Sequence, residues 1–361
     1  MKPTQQLHDL GQSLWLDNIT RDMLTRGTLK RYIDELSVTG LTSNPTIFDH
    51  AIRKSTAYDD AFRQLLARGV TGEDVFFELA MDDLTRAADL FKPIHEQTGG
   101  VDGWVSLEVS PLLAYDAEKT KKAAADLHAR AKRPNLFIKI PGTREGLPAI
   151  EESIAVGVPI NVTLLFSREQ YLAAADAYMK GIERRLRNKQ DPKIGSVASV
   201  FISRWDKAVM GKVPESLRNK LGIAIAKRTY KAYRDLLASP RWQKLAAAGA
   251  RPQRLLFAST GAKDPNASDV LYIESLAAPD TINTMPEETL LAFADHGKGR
   301  GTLPEDGGDA EAVLEQFKQA KIDIDALAAT LQKEGAESFD TSWADLRQCL
   351  LEKAETLKKA S

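Results

Sequence analysis

Short apolar segments alternate with longer amphipathic segments along this 361-residue chain, and this alternation limits the possible folds more than any other feature. The apolar segments that read as strands are eight: 14–16, 40–42, 104–109, 136–140, 160–163, 198–202, 255–258 and 281–283. Eight strand-then-helix units predict a parallel sheet closed into a (β/α)8 TIM barrel of the α/β class. A doubly wound open sheet is the alternative, although no Gly-x-Gly-x-x-Gly motif follows an early strand.

The segments between the strands have the spacing of helices with one buried face. They are 23–36, 73–95, 120–131, 168–187 and 220–237. In the first, apolar residues such as Leu29, Tyr32, Ile33 and Leu36 recur every three or four positions. Ser167 followed by Gln170 predicts a capping box where the helix over 168–187 begins.

Composition argues for a small-molecule substrate in a reducing compartment. The 49 basic and 50 acidic side chains are spread evenly and give a net charge of −1, so we expect neither nucleic acid nor a membrane as partner. The single cysteine, Cys349, excludes an intramolecular disulfide framework. Because the N-terminus also lacks the apolar core of a signal peptide, we expect a cytoplasmic protein.

Lys139 lies within the apolar run 136–140, which ends at Pro141-Gly142. The pattern predicts a buried strand that runs into a loop. Burial disfavours the charged ammonium form, so a lysine at this point is pushed toward the neutral amine that can attack a carbonyl. The structural alternative is a lysine that snorkels to solvent or forms an ion pair.

Other polar side chains also concentrate where the predicted strands end. They are Asp17, Asn44, Glu108, Asn161, Thr163, Ser199, Arg204, Ser259 and Thr260, with the apolar Phe201 among them. Each alone has a structural explanation as a turn, cap, ion-pair or strand residue. Because the carboxyl ends of parallel barrel strands build the active site, their joint position predicts a site there.

A strand-end lysine with two carboxylates fits Schiff-base chemistry. None of the five histidines is spaced with another as a ligand pair, so we expect no metal. A protonated lysine imine accepts the electron pair released when the neighbouring carbon–carbon bond breaks. One carboxylate can serve imine formation and the other can take the hydroxyl proton during cleavage. The residues therefore predict a class I aldolase-type enzyme.

Five segments together resemble the transaldolase family and occur in the family's order. They are 41–48, 105–109, 136–146, 161–167 and 280–286, and the resemblance runs from about residue 14 to 339. The segment 258–263, Ala-Ser-Thr-Gly-Ala-Lys, resembles the longer bacterial branch. The family implies one barrel domain over 1–361 with extra N- and C-terminal helices, the last over about 340–358 near the barrel mouth.

The resemblance also implies roles for individual residues. Lys139 would form the Schiff base, and Glu108 would move protons during imine formation through a water held with Thr163. Asp17 would be the base and acid at the bond that breaks and forms. Asn44 and Asn161 would bind hydroxyls of the donor sugar, Ser199 and Arg204 would hold the sugar phosphate, and Ser259 would also contact the substrate.

Lys263 and a glycine-rich loop are further candidates for contact with a phosphate. A second arginine of the better-studied branch is missing here, and Lys263 stands in the matching stretch. The glycine-rich loop 297–308 could cradle a phosphate, although a plain surface loop is the simpler interpretation.

The implied activity is that of a transaldolase in the pentose phosphate pathway. It would transfer a dihydroxyacetone unit from sedoheptulose 7-phosphate to glyceraldehyde 3-phosphate, giving erythrose 4-phosphate and fructose 6-phosphate, without a cofactor. One alternative is a fructose 6-phosphate aldolase-like lyase, which is shorter and carries tyrosine where this chain has Phe201. Another is a catalytically silent barrel that acts as a binding protein, against which the intact Asp17, Glu108 and Lys139 argue. We expect sugar-phosphate substrates and a monomer or homodimer.

Overall fold

The computed structural model describes residues 1–359, so the last two residues of the expected 1–361 domain lie outside it. Its strands are β1 Ser13–Asp17, β2 Val38–Thr42, β3 Val105–Glu108, β4 Leu136–Pro141, β5 Ile160–Leu165, β6 Ser196–Phe201, β7 Gln253–Ala258 and β8 Ile282–Met285. Each strand pairs in parallel with the next, and β8 pairs with β1 to close the barrel. The predicted (β/α)8 TIM barrel is confirmed, and the open-sheet alternative is wrong.

Helices surround the barrel and extend it at both ends of the chain. They are α1 Pro3–Asp9, α2 Arg21–Thr25, α3 Thr28–Leu36, α4 Pro45–Lys54, α5 Asp59–Ala67, α6 Glu73–Gln97, α7 Ala117–Ala131, α8 Gly146–Val156, α9 Arg168–Arg187, α10 Ser203–Val209, α11 Leu221–Ala238, α12 Pro240–Ala247, α13 Leu271–Ser275, α14 Glu287–His296, α15 Ala310–Gln319 and α16 Ile324–Lys359. Short 3₁₀ turns occur at Pro111–Leu113 and Glu215–Leu217. None of these helices combines the length and apolar character of a membrane span.

Two predicted helices differ from the observed ones in extent. The single helix predicted over 23–36 is wrong, because Gly27 adopts a left-handed conformation (φ 73°) that separates α2 from α3. The last helix begins at Ile324, well before the expected start near 340. The predicted capping box is confirmed, since Ser167 Oγ accepts from the Gln170 amide and Gln170 Oε1 accepts from the Ser167 amide.

The strands are buried on both faces, which explains their nearly continuous apolar sequences. Apart from Asp17, every strand residue is buried. Helices cover the outer face of the sheet and inward-pointing side chains fill the interior. A charged side chain on an inward position is therefore cut off from water, except where the barrel opens at the carboxyl ends of the strands.

Aromatic side chains fill the opposite, amino-terminal end of the barrel. The Trp104 and Phe137 rings stack at 4.0 Å, and Trp15 lies 6.3 Å from Phe137. The Trp15 indole donates a 2.8 Å hydrogen bond to Asp102, which fixes its orientation. Gly40 on β2 is required by this packing, because a Cβ there would lie 2.4 Å from the indole ring.

We expect Gly40→Ala to lower the free energy of unfolding by about 1 to 3 kcal/mol, the usual cost of an added methyl group in a packed core. The reason is that the held indole cannot move away from the new Cβ. Urea unfolding of both proteins measures the loss. Gly299→Ala is the matched control, because a Cβ at that exposed position meets no atom within 4 Å. Equal losses for both variants would show that packing against Trp15 is not the cause.

Candidate active site

Strand register brings the two central charged side chains together. Glu108 on β3 pairs with Lys139 on β4, and Lys139 pairs with Asn161 on β5. Paired residues of neighbouring parallel strands point to the same face of the sheet, so these side chains are adjacent in the interior. Lys139 Nζ lies 3.3 Å from Glu108 Oε2 and donates a 3.2 Å hydrogen bond to the Ser43 carbonyl. The lysine is ion-paired as well as buried, and does not snorkel to solvent.

A cavity of about 200 Å³ opens at the carboxyl ends of the strands above Lys139. Most of the residues that the sequence predicts for the site line it: Asp17, Asn44, Lys139, Thr163, Ser199, Phe201, Arg204, Ser259 and Lys263. Glu108 and Asn161 are buried behind the wall, next to Lys139. The structure therefore brings all eleven predicted residues to the carboxyl end of the barrel.

Glu108 has an environment that favours its protonated form. Burial raises the pKa of Glu108, and the Asp17 charge adds to this rise, while Lys139 acts in the opposite direction. Apart from the contact with Lys139, the carboxylate oxygens accept no hydrogen bond from any residue in 1–359. The buried Thr163 hydroxyl likewise has no protein partner within these residues. Both groups are free to bind a small polar molecule.

Asn161 is held by hydrogen bonds to side chains, whereas Asn44 is held by a hydrogen bond to the backbone. Asn161 donates to Ser106 Oγ at 3.1 Å and accepts from Ser199 Oγ at 2.7 Å, so its amide orientation is fixed. Asn44 is the N-cap of α4, where its side-chain oxygen accepts from the Ile47 amide at 3.1 Å. The cap leaves the amide nitrogen of Asn44 available at the cavity wall.

Asp17 accepts a hydrogen bond from a threonine on the neighbouring strand. Thr42 Oγ1 lies 2.7 Å from Asp17 Oδ1 and also 2.7 Å from the Thr284 hydroxyl. All three side chains line the cavity. The carboxylate is therefore oriented toward the space above Lys139.

The cationic end of the cavity is formed by Arg204 on α10 and Lys263 after β7. No carboxylate within residues 1–359 forms an ion pair with either side chain. The Arg204 guanidinium lies 5.2 Å from the Phe201 ring centroid, and burial lowers its pKa, partly offset by Glu334. Poor solvation strengthens its attraction for an anion. Ser259 contacts Ser203 at the start of α10, with 2.9 Å between the hydroxyl oxygens.

Asp206 anchors the short helix that carries Arg204. Its carboxylate accepts from the amides of Leu221 (2.9 Å) and Gly222 (3.2 Å), which begin α11, and from the Tyr272 hydroxyl (2.7 Å). Burial raises the pKa of Asp206 to about 6, although these hydrogen bonds act against the rise. One buried carboxyl group therefore links α10 to the start of α11 and to Tyr272 on α13.

Helix α16 forms one wall of the cavity. Gln332 donates to the carbonyls of Gly142 and Leu164, 3.0 Å each, and so satisfies the ends of β4 and β5. Gly335 lies against Arg204, where a Cβ would be 3.3 Å from the guanidinium and 2.9 Å from the Leu164 side chain. The Phe339 ring centroid lies 5.8 Å from Lys139 Nζ. One face of α16 thus reaches the lysine, the arginine and the strand ends.

Sequence reasoning did not assign a role to several residues of the cavity wall, notably Thr42, Thr284 and Phe339. The threonines stand inside the recognised segments 41–48 and 280–286, at inward strand positions. Phe339 belongs to the spacing 332, 335, 339, which is that of one helix face. The predicted last helix begins near residue 340, so this spacing falls outside it and Phe339 is not recognised.

Neither a metal site nor the glycine-rich loop contributes to this cavity. Residues 1–359 contain no group of three or more His, Cys, Asp or Glu side chains placed to hold a metal ion. Within the same residues, none of the loop 297–308 lines the cavity. Instead, the Lys298 amide and the Arg300 side chain both contact Glu274. The hypothesis of a phosphate cradle in this loop gains no support from its position.

A buried lysine paired with a carboxylate at the mouth of a parallel barrel defines the class of lysine-dependent aldolase-type barrels. The family profile described as Transaldolase/Fructose-6-phosphate aldolase matches residues 14–350. The chain belongs to this family.

Curated relatives match the chain along almost its whole length. A transaldolase of Saccharopolyspora erythraea is 44% identical over 361 residues, which cover 98% of each chain. A transaldolase of Thermobifida fusca is 45% identical over 353 residues, covering 95% of this chain and 96% of the relative. A transaldolase of Thiobacillus denitrificans is 43% identical over 354 residues, covering 96% and 99%.

The titration of Asp206 should make the stability of the folded protein depend on pH. The raised pKa means that the folded protein binds the proton more readily than the unfolded chain, whose aspartate titrates near 3.8. The free energy of unfolding of the wild type, relative to Asp206→Asn, should therefore fall as pH rises from about 4 to 6, by up to about 3 kcal/mol. Above that range the difference should stay constant.

Urea unfolding of both proteins between pH 4 and pH 8 measures this difference. Asp126→Asn, at an exposed position on α7, controls for the loss of one negative charge. If the wild type and Asp206→Asn gave parallel stability curves, Asp206 would not titrate between these pH values.

Proposed function

We propose that this chain is a transaldolase that transfers a dihydroxyacetone unit from sedoheptulose 7-phosphate to glyceraldehyde 3-phosphate, as part of the pentose phosphate pathway. Full-length relatives with the name transaldolase support the activity. The observation that carries the proposal is the position of Lys139 Nζ. This atom lies 3.3 Å from Glu108 Oε2, at the base of a cavity that Asp17 also lines. A lysine, a proton carrier and a second carboxylate are the groups that Schiff-base carbon–carbon cleavage needs.

Imine formation is the proposed task of Lys139 and Glu108. Lys139 first passes a proton to Glu108, the neutral amine then attacks C2 of the ketose, and the carbinolamine loses its hydroxyl group as water. Glu108 supplies and removes the protons through a water held with Thr163. The unpartnered buried oxygens of Glu108 and Thr163 support this role, and the raised pKa of Glu108 makes it a better proton donor near neutral pH than an exposed glutamate.

Cleavage and transfer are the proposed task of Asp17. It takes the proton of the C4 hydroxyl, the C3–C4 bond breaks, and its electron pair moves into the protonated imine to form an enamine. Erythrose 4-phosphate leaves while the three-carbon enamine stays on Lys139. The enamine then attacks glyceraldehyde 3-phosphate, Asp17 returns the proton to the new hydroxyl, and hydrolysis of the imine releases fructose 6-phosphate.

Transfer instead of simple cleavage requires that the enamine survive until an aldehyde arrives. Two apolar rings border the cavity: Phe201 on β6, and Phe339, which lies beside the lysine. Neither offers a proton to the enamine carbon. This surrounding favours the transferase over the lyase that the same family includes.

We infer that Arg204 binds the substrate phosphate, with Ser199 and Ser259 beside it, and that Asn44 and Asn161 bind or orient the sugar hydroxyls. Arginine presents paired donors that match phosphate oxygens, whereas Lys263 offers a single point charge. The absence of a competing carboxylate on either side chain within residues 1–359 supports this assignment. We rank Lys263 as the weaker contact because it is exposed.

We also infer a cytoplasmic enzyme that acts as a monomer or homodimer. Cys349 is buried and unpaired, which suits a reducing compartment. The location and the oligomeric state both stay predictions.

Loss of Asp17 and loss of Glu108 should impair different steps of the reaction. Asp17→Ala removes the base for cleavage but leaves Glu108 and Thr163 to assemble the imine, so turnover should fall about 10²-fold or more. Borohydride should then trap the uncleaved ketose on Lys139. Glu108→Ala should instead slow formation of any adduct. Mass spectrometry of the peptide that contains Lys139, after borohydride treatment with fructose 6-phosphate, measures both.

The wild type is the reference in this experiment and should yield a three-carbon adduct on Lys139. No adduct under turnover conditions, or an adduct on another lysine, would refute the proposed Schiff base. If both variants trapped the same species at the same rate, the roles of Asp17 and Glu108 would be wrongly assigned. Release of free dihydroxyacetone as the main product would identify a lyase.

Arg204→Ala should weaken the use of phosphorylated substrates by about 1.5 to 3 kcal/mol, the range of a hydrogen bond to a charged group. Unphosphorylated dihydroxyacetone donors should be almost unaffected, because they lack the anion that Arg204 contacts. Lys263→Ala should show the same selectivity with a smaller loss. Comparison of kcat/KM for phosphorylated and unphosphorylated donors measures the effect.

Lys212→Ala is the control for the loss of a surface cation, since Lys212 is exposed and does not line the cavity. Equal losses on both kinds of donor would assign Arg204 a structural role. A Lys263 variant indistinguishable from Lys212→Ala would remove Lys263 from the phosphate site.

A further inference from the structure

We propose that Thr284 is a positioning residue for carbon–carbon cleavage: its hydroxyl donates to Thr42, which donates to Asp17, and this chain of hydroxyls holds the base. The inference rests on the proposed function, because it assigns Asp17 the cleavage step. It goes beyond that function by assigning a role to Thr284, which lies on β8, the strand that closes the barrel.

The three side chains come from neighbouring strands at the point of closure. Asp17 on β1 pairs in register with Thr42 on β2, and β8, which carries Thr284, pairs with the other edge of β1. The two hydroxyl oxygens lie 2.7 Å apart, although β1 separates their strands. Such a contact is possible only because both side chains point into the barrel.

The direction of these hydrogen bonds follows from the number of protons available. An ionised carboxylate only accepts, so the 2.7 Å contact between Thr42 and Asp17 uses the single proton of Thr42. The contact between Thr42 and Thr284 must then use the proton of Thr284. Thr284 therefore polarises Thr42 and strengthens its bond to the base.

The chain of hydroxyls is well screened from solvent. Thr42 is 2% exposed and Thr284 is 3% exposed, so water does not readily replace either hydroxyl. The backbone of Thr284 is held separately, because the Thr260 hydroxyl shares its proton between the Thr284 carbonyl at 2.9 Å and Asn283 Oδ1 at 2.8 Å. Loss of the Thr284 hydroxyl should therefore leave the strand in place.

The same chain can serve both protonation states of Asp17. When Asp17 has taken the proton of the sugar hydroxyl on its other oxygen, Oδ1 remains an acceptor and keeps its hydrogen bond from Thr42. Both hydrogen bonds keep their direction, and no proton leaves the site. The carboxyl group thus keeps one orientation while it accepts a proton in cleavage and returns it in transfer.

The test compares variants that remove or keep the hydroxyl of Thr284. Thr284→Val should lower kcat for transfer from fructose 6-phosphate to an aldehyde about 3- to 10-fold, the effect of one hydrogen bond. Thr284→Ser should stay near the wild type. The total rate at which borohydride traps any adduct on Lys139 should be unchanged, because imine formation uses Glu108. A structural defect would slow both steps and would not be rescued by serine.

A double-mutant cycle tests whether Thr284 acts through Thr42. Thr42→Val should cost about 10- to 100-fold in kcat, since it removes a hydrogen bond to a charged group. Adding Thr284→Val to Thr42→Val should then cost nothing further. Independent, additive losses would overturn the proposed chain of hydroxyls.

Thr39→Val is the matched control, a buried β2 threonine outside the cavity whose hydroxyl contact with the Leu14 carbonyl is long, 3.5 Å. It should leave kcat unchanged. If Thr284→Val does not fold, as judged by its Tm, the pair Thr284→Ala and Thr284→Ser makes the same comparison. Full activity of the variants without the hydroxyl would refute the inference alone, whereas an inactive wild type would refute the proposed function.

Discussion

The buried ion pair between Lys139 and Glu108 is the interaction on which the site depends. Removing two charges from water is costly, and their mutual attraction offsets that cost only when their geometry is fixed. The register of β3 with β4 fixes it, because it places the two residues directly opposite each other. Buried strands, covering helices and a packed amino-terminal end shield this pair from bulk solvent on every side except that of the cavity at the carboxyl ends of the strands. The chemistry therefore relies on closure of the whole barrel.

Much of this architecture could be predicted from the sequence because its signals are local. The apolar segments gave all eight strands, with bounds that shift by a few residues. Ser167 and Gln170 marked one helix start correctly, since a capping box depends only on residues near each other in the chain. Apolar spacing alone missed the break between α2 and α3. The spacing continues across Gly27, whereas the left-handed backbone conformation of this glycine ends the helix.

The parts of the site that escaped prediction depend on contacts between distant segments. Strand-end position indicates Asp17 and Lys139, but no sequence pattern shows that the Thr42 and Thr284 hydroxyls meet across β1. Likewise, the contact of Gly335 with Arg204 depends on where α16 crosses the barrel. Site residues were found through their chemistry and motifs, whereas the groups that orient them are small and common. Only the closed structure distinguishes those threonines and that glycine from others.

The wall of the site that helix α16 forms differs from the barrel strands in its local stability. The strands close into a ring by Met285, while Phe339 beside Lys139 comes from a helix that follows them in the chain. Helices packed on a surface can open locally without global unfolding. Local detachment of α16 would let water reach the covalent intermediate while every strand stayed paired. The lifetime of that intermediate would then report on the opening of one helix, a quantity that amide hydrogen exchange measures independently.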